Sequence, residues 1–218
     1  MNVPPHFQTS CGLAYSGNSF VGLNLATTLP ALTMQLRSLI HLGYPSLEDV
    51  AEITRRIVSK YQATMLDATR KPESFSSIIA GYCHKERKFK CFRIDSQFDP
   101  PGATLKTEPI DDPYHVVVLG SRIKEVEEAL RLARANTDPI KKSPATVIKK
   151  ILQNKQFPDI GGDLQIGAAY EEGFVVYADW APVDNPRRDD TLKFRGLDLF
   201  EDVTVMVGSL MIAPPGMP

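Results

Sequence analysis

The chain has 218 residues, of which 43% are hydrophobic, and a net charge of −1. That is enough apolar side chain for one large domain, or for a domain with an appendage, and it leaves no basic field to attract nucleic acid or an anionic membrane. No run approaches the roughly 18–20 apolar residues of a membrane helix, Met1–His6 lacks the parts of a secretion signal, and three cysteines make no disulfide framework, so a soluble, cytoplasmic protein is expected.

Residues 11–23 read as a short strand running into a helix. Thr28-Leu-Pro30 then opens a helix, with Thr28 as cap and a proline near the first turn; Leu29, Leu32, Leu36, Leu39 and Ile40 form its apolar face and Gly43 ends it. Ser46-Leu-Glu-Asp49 starts the next helix, with Ser46 as cap and the stripe Leu47, Val50, Ile53, Ile57 and Tyr61. The connection between the two is short, which makes antiparallel neighbours. Ser77–Cys83 and Lys88–Ile94 are strands around a charged turn. In the second, Phe89, Cys91 and Arg93 face one side and Lys90, Phe92 and Ile94 the other. From Asp99 to Pro113 the prolines predict a surface loop.

Val116–Leu119 reads as a short buried strand, and Gly120-Ser121 as its turn into a helix striped by Ile123, Val126, Leu130 and Ala133. Asn136-Thr-Asp-Pro139 breaks that helix. Ser143-Pro144 begins a fourth, with Val147, Ile148, Ile151 and Leu152 inward. After Gly161-Gly162, Leu164–Ala169 and Phe174–Tyr177 make a hairpin around Glu171-Glu172-Gly173. Pro182–Arg195 is read as a loop, Val203–Val207 as a strand and Ala213–Pro218 as a frayed tail. Hairpins separated by helix pairs argue for a layered α+β domain and against a doubly wound parallel sheet.

Several residues invite a chemical reading. Gly17-Asn-Ser-Phe-Val-Gly22 looks like a phosphate loop but lacks the Lys-Ser/Thr that completes one; the other reading is a tight strand-to-helix turn. Cys83, His84 and Cys91 offer three soft ligands without a fourth or a Cys-x-x-Cys pair, so no metal is expected, and no cofactor. His6, His41 and His115 stand alone. Ser121 suits a helix cap.

The order of elements, with Tyr15-Ser-Gly17, Ile79-Ala-Gly81, Leu119-Gly-Ser121 and Gly161-Gly162, resembles the back two-thirds of a proteasome β-type subunit, an N-terminal-nucleophile (Ntn) hydrolase. The resemblance spans roughly residues 10–180. It implies a four-layer αββα sandwich over residues 1–180, two antiparallel sheets between helix pairs, with 181–218 as a C-terminal extension. It implies Ser121 as an accessory catalytic residue near the nucleophile's amine, and the backbone of Ala14, Tyr15 and Ser16 on the oxyanion side. Gly17, Gly120, Gly161 and Gly162 would be structural glycines near that site. The implied reaction is threonine-type hydrolysis of a peptide or other amide, in a homo-oligomer. The family uses the first mature residue as nucleophile and its α-amine as base. No such residue is found here, since Met1 falls after the strands that carry it, and the domain is expected to be N-terminally incomplete and inactive as it stands. The family's Asp-x-x-Ser-Gly-Gly run reads Phe157-Pro-Asp-Ile-Gly-Gly162, with Phe157 for the aspartate and Ile160 for the serine. A non-catalytic assembly or binding protein on the same scaffold is the alternative.

Overall fold

The computed structural model describes residues 11–33, 46–83, 86–98, 100–108, 116–120, 122–138, 143–154, 157 and 166–177, and the backbone of short strands between 179 and 211. It is an α+β protein. The chain divides into two compact units, residues 1–120 with 169–174, and residues 121–168 with 175–218.

In the first unit, β1 (Cys11–Gly17) leads through Asn18 into α1 (Ser19–Thr33). The reading of residues 11–23 as a strand running into a helix holds, with Asn18 as the cap: its Oδ1 accepts the Val21 N–H at 3.0 Å, and the separate start expected at Thr28-Leu-Pro30 is instead a continuation of α1. Pro30 therefore lies inside α1 and costs it one backbone hydrogen bond. Thr28 caps nothing; its hydroxyl pairs with the Tyr61 hydroxyl at 2.7 Å. Leu29 is buried as expected, whereas Leu32 is exposed. Gly43 and residues 34–45 lie outside the described residues.

α2 (Leu47–Thr69) begins as expected. The Asp49 N–H donates to Ser46 Oγ, and the Ser46 N–H donates back to the Asp49 carboxylate. Ser46→Ala is expected to cost about 1 kcal/mol, read by urea unfolding. The buried seam is Leu47, Ala51, Thr54, Val58, Gln62 and Met65. Val50, Ile53, Ile57 and Tyr61, predicted as the stripe, flank that seam and are partly buried. The rotation follows from the polar residues Thr54 and Gln62, which an apolar-periodicity reading puts on the outside.

Glu52 on α2 accepts from Arg55 at 2.7 Å and from Arg56 at 2.8 Å. Those hydrogen bonds, Arg55's first, lower its carboxyl from 4.5 to about 2. A depressed carboxyl stabilises the fold above the ordinary carboxylate range, and the contribution is lost as the pH falls through about 2. The pair is partly solvated, so Glu52→Gln is expected to lower stability by only about 0.5 kcal/mol at pH 6. The gap between wild type and variant should close by pH 2.

β2 (Phe75–Cys83), β3 (Lys88–Phe98) and β4 (Pro101–Glu108) follow, and the antiparallel sheet is ordered β1-β2-β3-β4. β4 occupies part of the stretch predicted as loop. Its proline is the first residue of an edge strand, where no ladder N–H is required. The two-sided alternation of β3 is observed: Phe92 and Ile94 share a face with Ile79 and Ser77, and Cys91 and Arg93 share the other with Ala80 and Ile78. α1 and α2 cover the first of these faces. Val21, Leu25, Leu29, Leu47, Ala51 and Val58 meet Phe75, Ile79, Phe92, Ile94 and Ala103 in one core. On the opposite face the ring of Phe174 lies against Gly12, where an added Cβ would sit 2.3 Å from it.

Val116–Leu119 is half-buried and forms no strand, so the expectation of a buried strand fails. A short apolar run does not specify a strand without a partner to pair with. In the second unit, α3 (Ile123–Arg134) and α4 (Pro144–Gln153) bury Val126, Leu130, Val147 and Ile151. Arg122 stands at the N-cap position of α3. β5 (Ile166–Tyr170) and β6 (Gly173–Tyr177) pair around the predicted turn. β7 (Asp179–Pro182), β8 (Asp190–Phe194) and β9 (Leu197–Asp198) form a three-stranded antiparallel sheet, so the stretch predicted as a loop after Pro182 contains a strand. Thr191, Leu192 and Phe194 suit that strand, while the prolines nearby dominated the composition. β10 (Met206–Val207) pairs with β11 (Leu210–Met211). No described helix is long and apolar enough to cross a membrane.

Candidate functional site

The sequence directs attention to the end of β1. Gly17 ends the strand at φ 110°, and the Asn18 N–H donates to the Ser74 carbonyl at 3.1 Å. The Asn18 amide also donates to the Glu73 carboxylate. These bonds pin the strand-to-helix turn to the segment that enters β2. The phosphate-loop reading finds no support here. Asn18 already accepts from the Val21 and Gly22 amides, and Gly22 lies under the Tyr15 ring, where an added Cβ would be 2.2 Å from it. Gly22 is needed for close packing, not for access to an anion.

Of the three residues that the resemblance puts on an oxyanion side, Tyr15 turns to the helices, where it stacks on Phe75 at 6.0 Å. Ala14 and Ser16 turn to the opposite face, with Ile78 and Ser76 as register partners. Because β1 pairs with β2 along its whole length, only alternate amides among residues 14–16 point to its outer edge. Gly120, at φ 126°, approaches Ser16: an added Cβ would lie 3.5 Å from the Ser16 hydroxyl oxygen. Ser16, Gly17 and Gly120 therefore gather at one end of the sheet. Ser121, Gly161 and Gly162 lie outside the described residues, as do His6, His41, His84, His115 and Ile160. Phe157 is described, and the Arg122 guanidinium stands 5.8 Å from its ring centroid, within cation–π range. Residue 157 thus lies beside Arg122.

A second group was not foreseen. Ser16, Ser76, Asp95 and Thr104 are register neighbours on four successive strands, a polar row across the face opposite the helices. Asp95 Oδ1 accepts from Ser76 Oγ and from Arg93 Nε, both at 2.9 Å, and Lys106 Nζ stands 3.9 Å from Oδ2. The Thr104 hydroxyl donates to the Asp95 carbonyl at 3.3 Å. Hydroxyls flanked by two cations and one carboxylate can hold a polar, amide-like group by hydrogen bonds. The alternation Arg93-Ile-Asp95 was the available signal, but the register that aligns it with Ser16 is tertiary.

The cysteines are not poised for attack. Burial, with a smaller contribution from Glu108, pushes the Cys91 thiol up to about 11, and burial raises Cys11 as well. Neither is a thiolate at neutral pH. Cys83 and Cys91 lie on opposite faces of the sheet, so they do not converge on a metal, and no cluster of metal-ligating side chains occurs among the described residues. No protein-family model matches the chain, and no curated protein matches it.

Proposed function

We propose that the chain is built on the scaffold of the proteasome-like Ntn hydrolases, a four-layer αββα sandwich whose ancestral chemistry is hydrolysis of a peptide or other amide bond. The approach of Gly120 to Ser16 carries this reading, because it brings the glycine of the Gly-Ser pair to the end of the strand that the resemblance assigns to the oxyanion side. The element order β1-α1-α2-β2-β3-β4-α3-α4-β5-β6 supports it. So do a helix pair on one sheet face and Phe174 of the later hairpin on the other. On this reading Ser121 orients the amine of an N-terminal nucleophile, and the row around Asp95 lines the interior between the sheets.

One contact favours the alternative, a non-catalytic assembly or binding protein on the same scaffold. Phe157 stands in the frame of the family's aspartate and is engaged by Arg122 as an apolar platform, which an accessory carboxylate would not provide. Terminal sequencing of the native protein, with intact mass after treatment with a β-lactone electrophile, separates the two. A mature Thr, Ser or Cys terminus carrying a covalent adduct supports the hydrolase. A Met1 or Asn2 terminus without an adduct supports the assembly protein.

A further inference from the structure

We draw no further inference here: the strongest candidate, the side-chain cluster of Arg93, Asp95 and Lys106 on the sheet face opposite α1 and α2, belongs to the polar row already described, its two cations share the Asp95 carboxylate, and nothing in the structure shows what meets that face.

Discussion

Gly17→Ala is expected to destabilise the chain by more than about 3 kcal/mol, among the larger effects a single substitution produces. Two costs add. The residue sits at φ 110°, a conformation that side chains with a Cβ rarely adopt. The new methyl would lie 2.1 Å from the Ser74 carbonyl oxygen and 2.9 Å from the Phe75 Cα. Both are backbone atoms at the entry to β2, so no side-chain rotation relieves the clash. Moving them would disturb the Asn18–Ser74 hydrogen bond and the burial of Phe75. Gly102→Ala is the control, since its nearest neighbour would be Ser59 Oγ at 4.0 Å, and it is expected to be neutral within about 0.5 kcal/mol. Urea unfolding followed by circular dichroism compares the two. Equal losses at both positions would mean that the turn after β1 is not formed in solution.

The second large effect has the opposite sign. Gln62 lies in the buried seam of α2 with no exposed surface, and among the described residues neither its amide nitrogen nor its carbonyl oxygen has a hydrogen-bond partner. Burying an amide without partners costs on the order of 1–3 kcal/mol by protein mutational data. Gln62→Met keeps the length of the side chain and removes both polar groups, so it is expected to raise stability by about that amount. For a chain of this size the melting temperature should rise by several degrees. Ser77→Ala, at a buried hydroxyl without a partner among the described residues, should show the same sign with a smaller gain. A loss of stability in Gln62→Met would place an internal water on the amide, since removing a well-bound water's partner is unfavourable.

What could be read in advance follows the range of the interaction that fixes it. The Ser46–Asp49 capping box is decided within four residues and was legible. So was the two-sided pattern of β3, because strand periodicity is local. The strand running into a helix over residues 11–23 was legible too, but the helix's continuation through Thr28-Leu-Pro30 was not. Its sequence is apolar around most of the helix, so periodicity carries little phase, and the threonine and proline supplied a false second start. β4 was missed because prolines weigh against a strand, although an edge strand accepts one at its first residue. Val116–Leu119 erred the other way: four apolar residues suggested a strand, and no partner strand is present for it among the described residues. At the candidate site, Ser16, Gly17 and Gly120 were named from a resemblance and do come together. The row through Ser76, Asp95 and Thr104 depends on the register of four strands, which no local window contains.

The strand that bears the candidate site is also, among the described strands, the one whose partner is farthest away in the chain. β2, β3 and β4 follow one another through short turns, and α2 runs directly into β2, so their pairing closes only small loops. β1 finds β2 only after both α1 and α2 have intervened, and contacts of such long sequence separation carry the larger closure entropy. The meander and α2 are therefore expected to fold as the nucleus, with β1 docking last. In the native state the same hierarchy runs backwards. β1 is expected to be the first strand of this sheet to detach, carrying Ser16 away from Gly120 while the rest of the sheet persists.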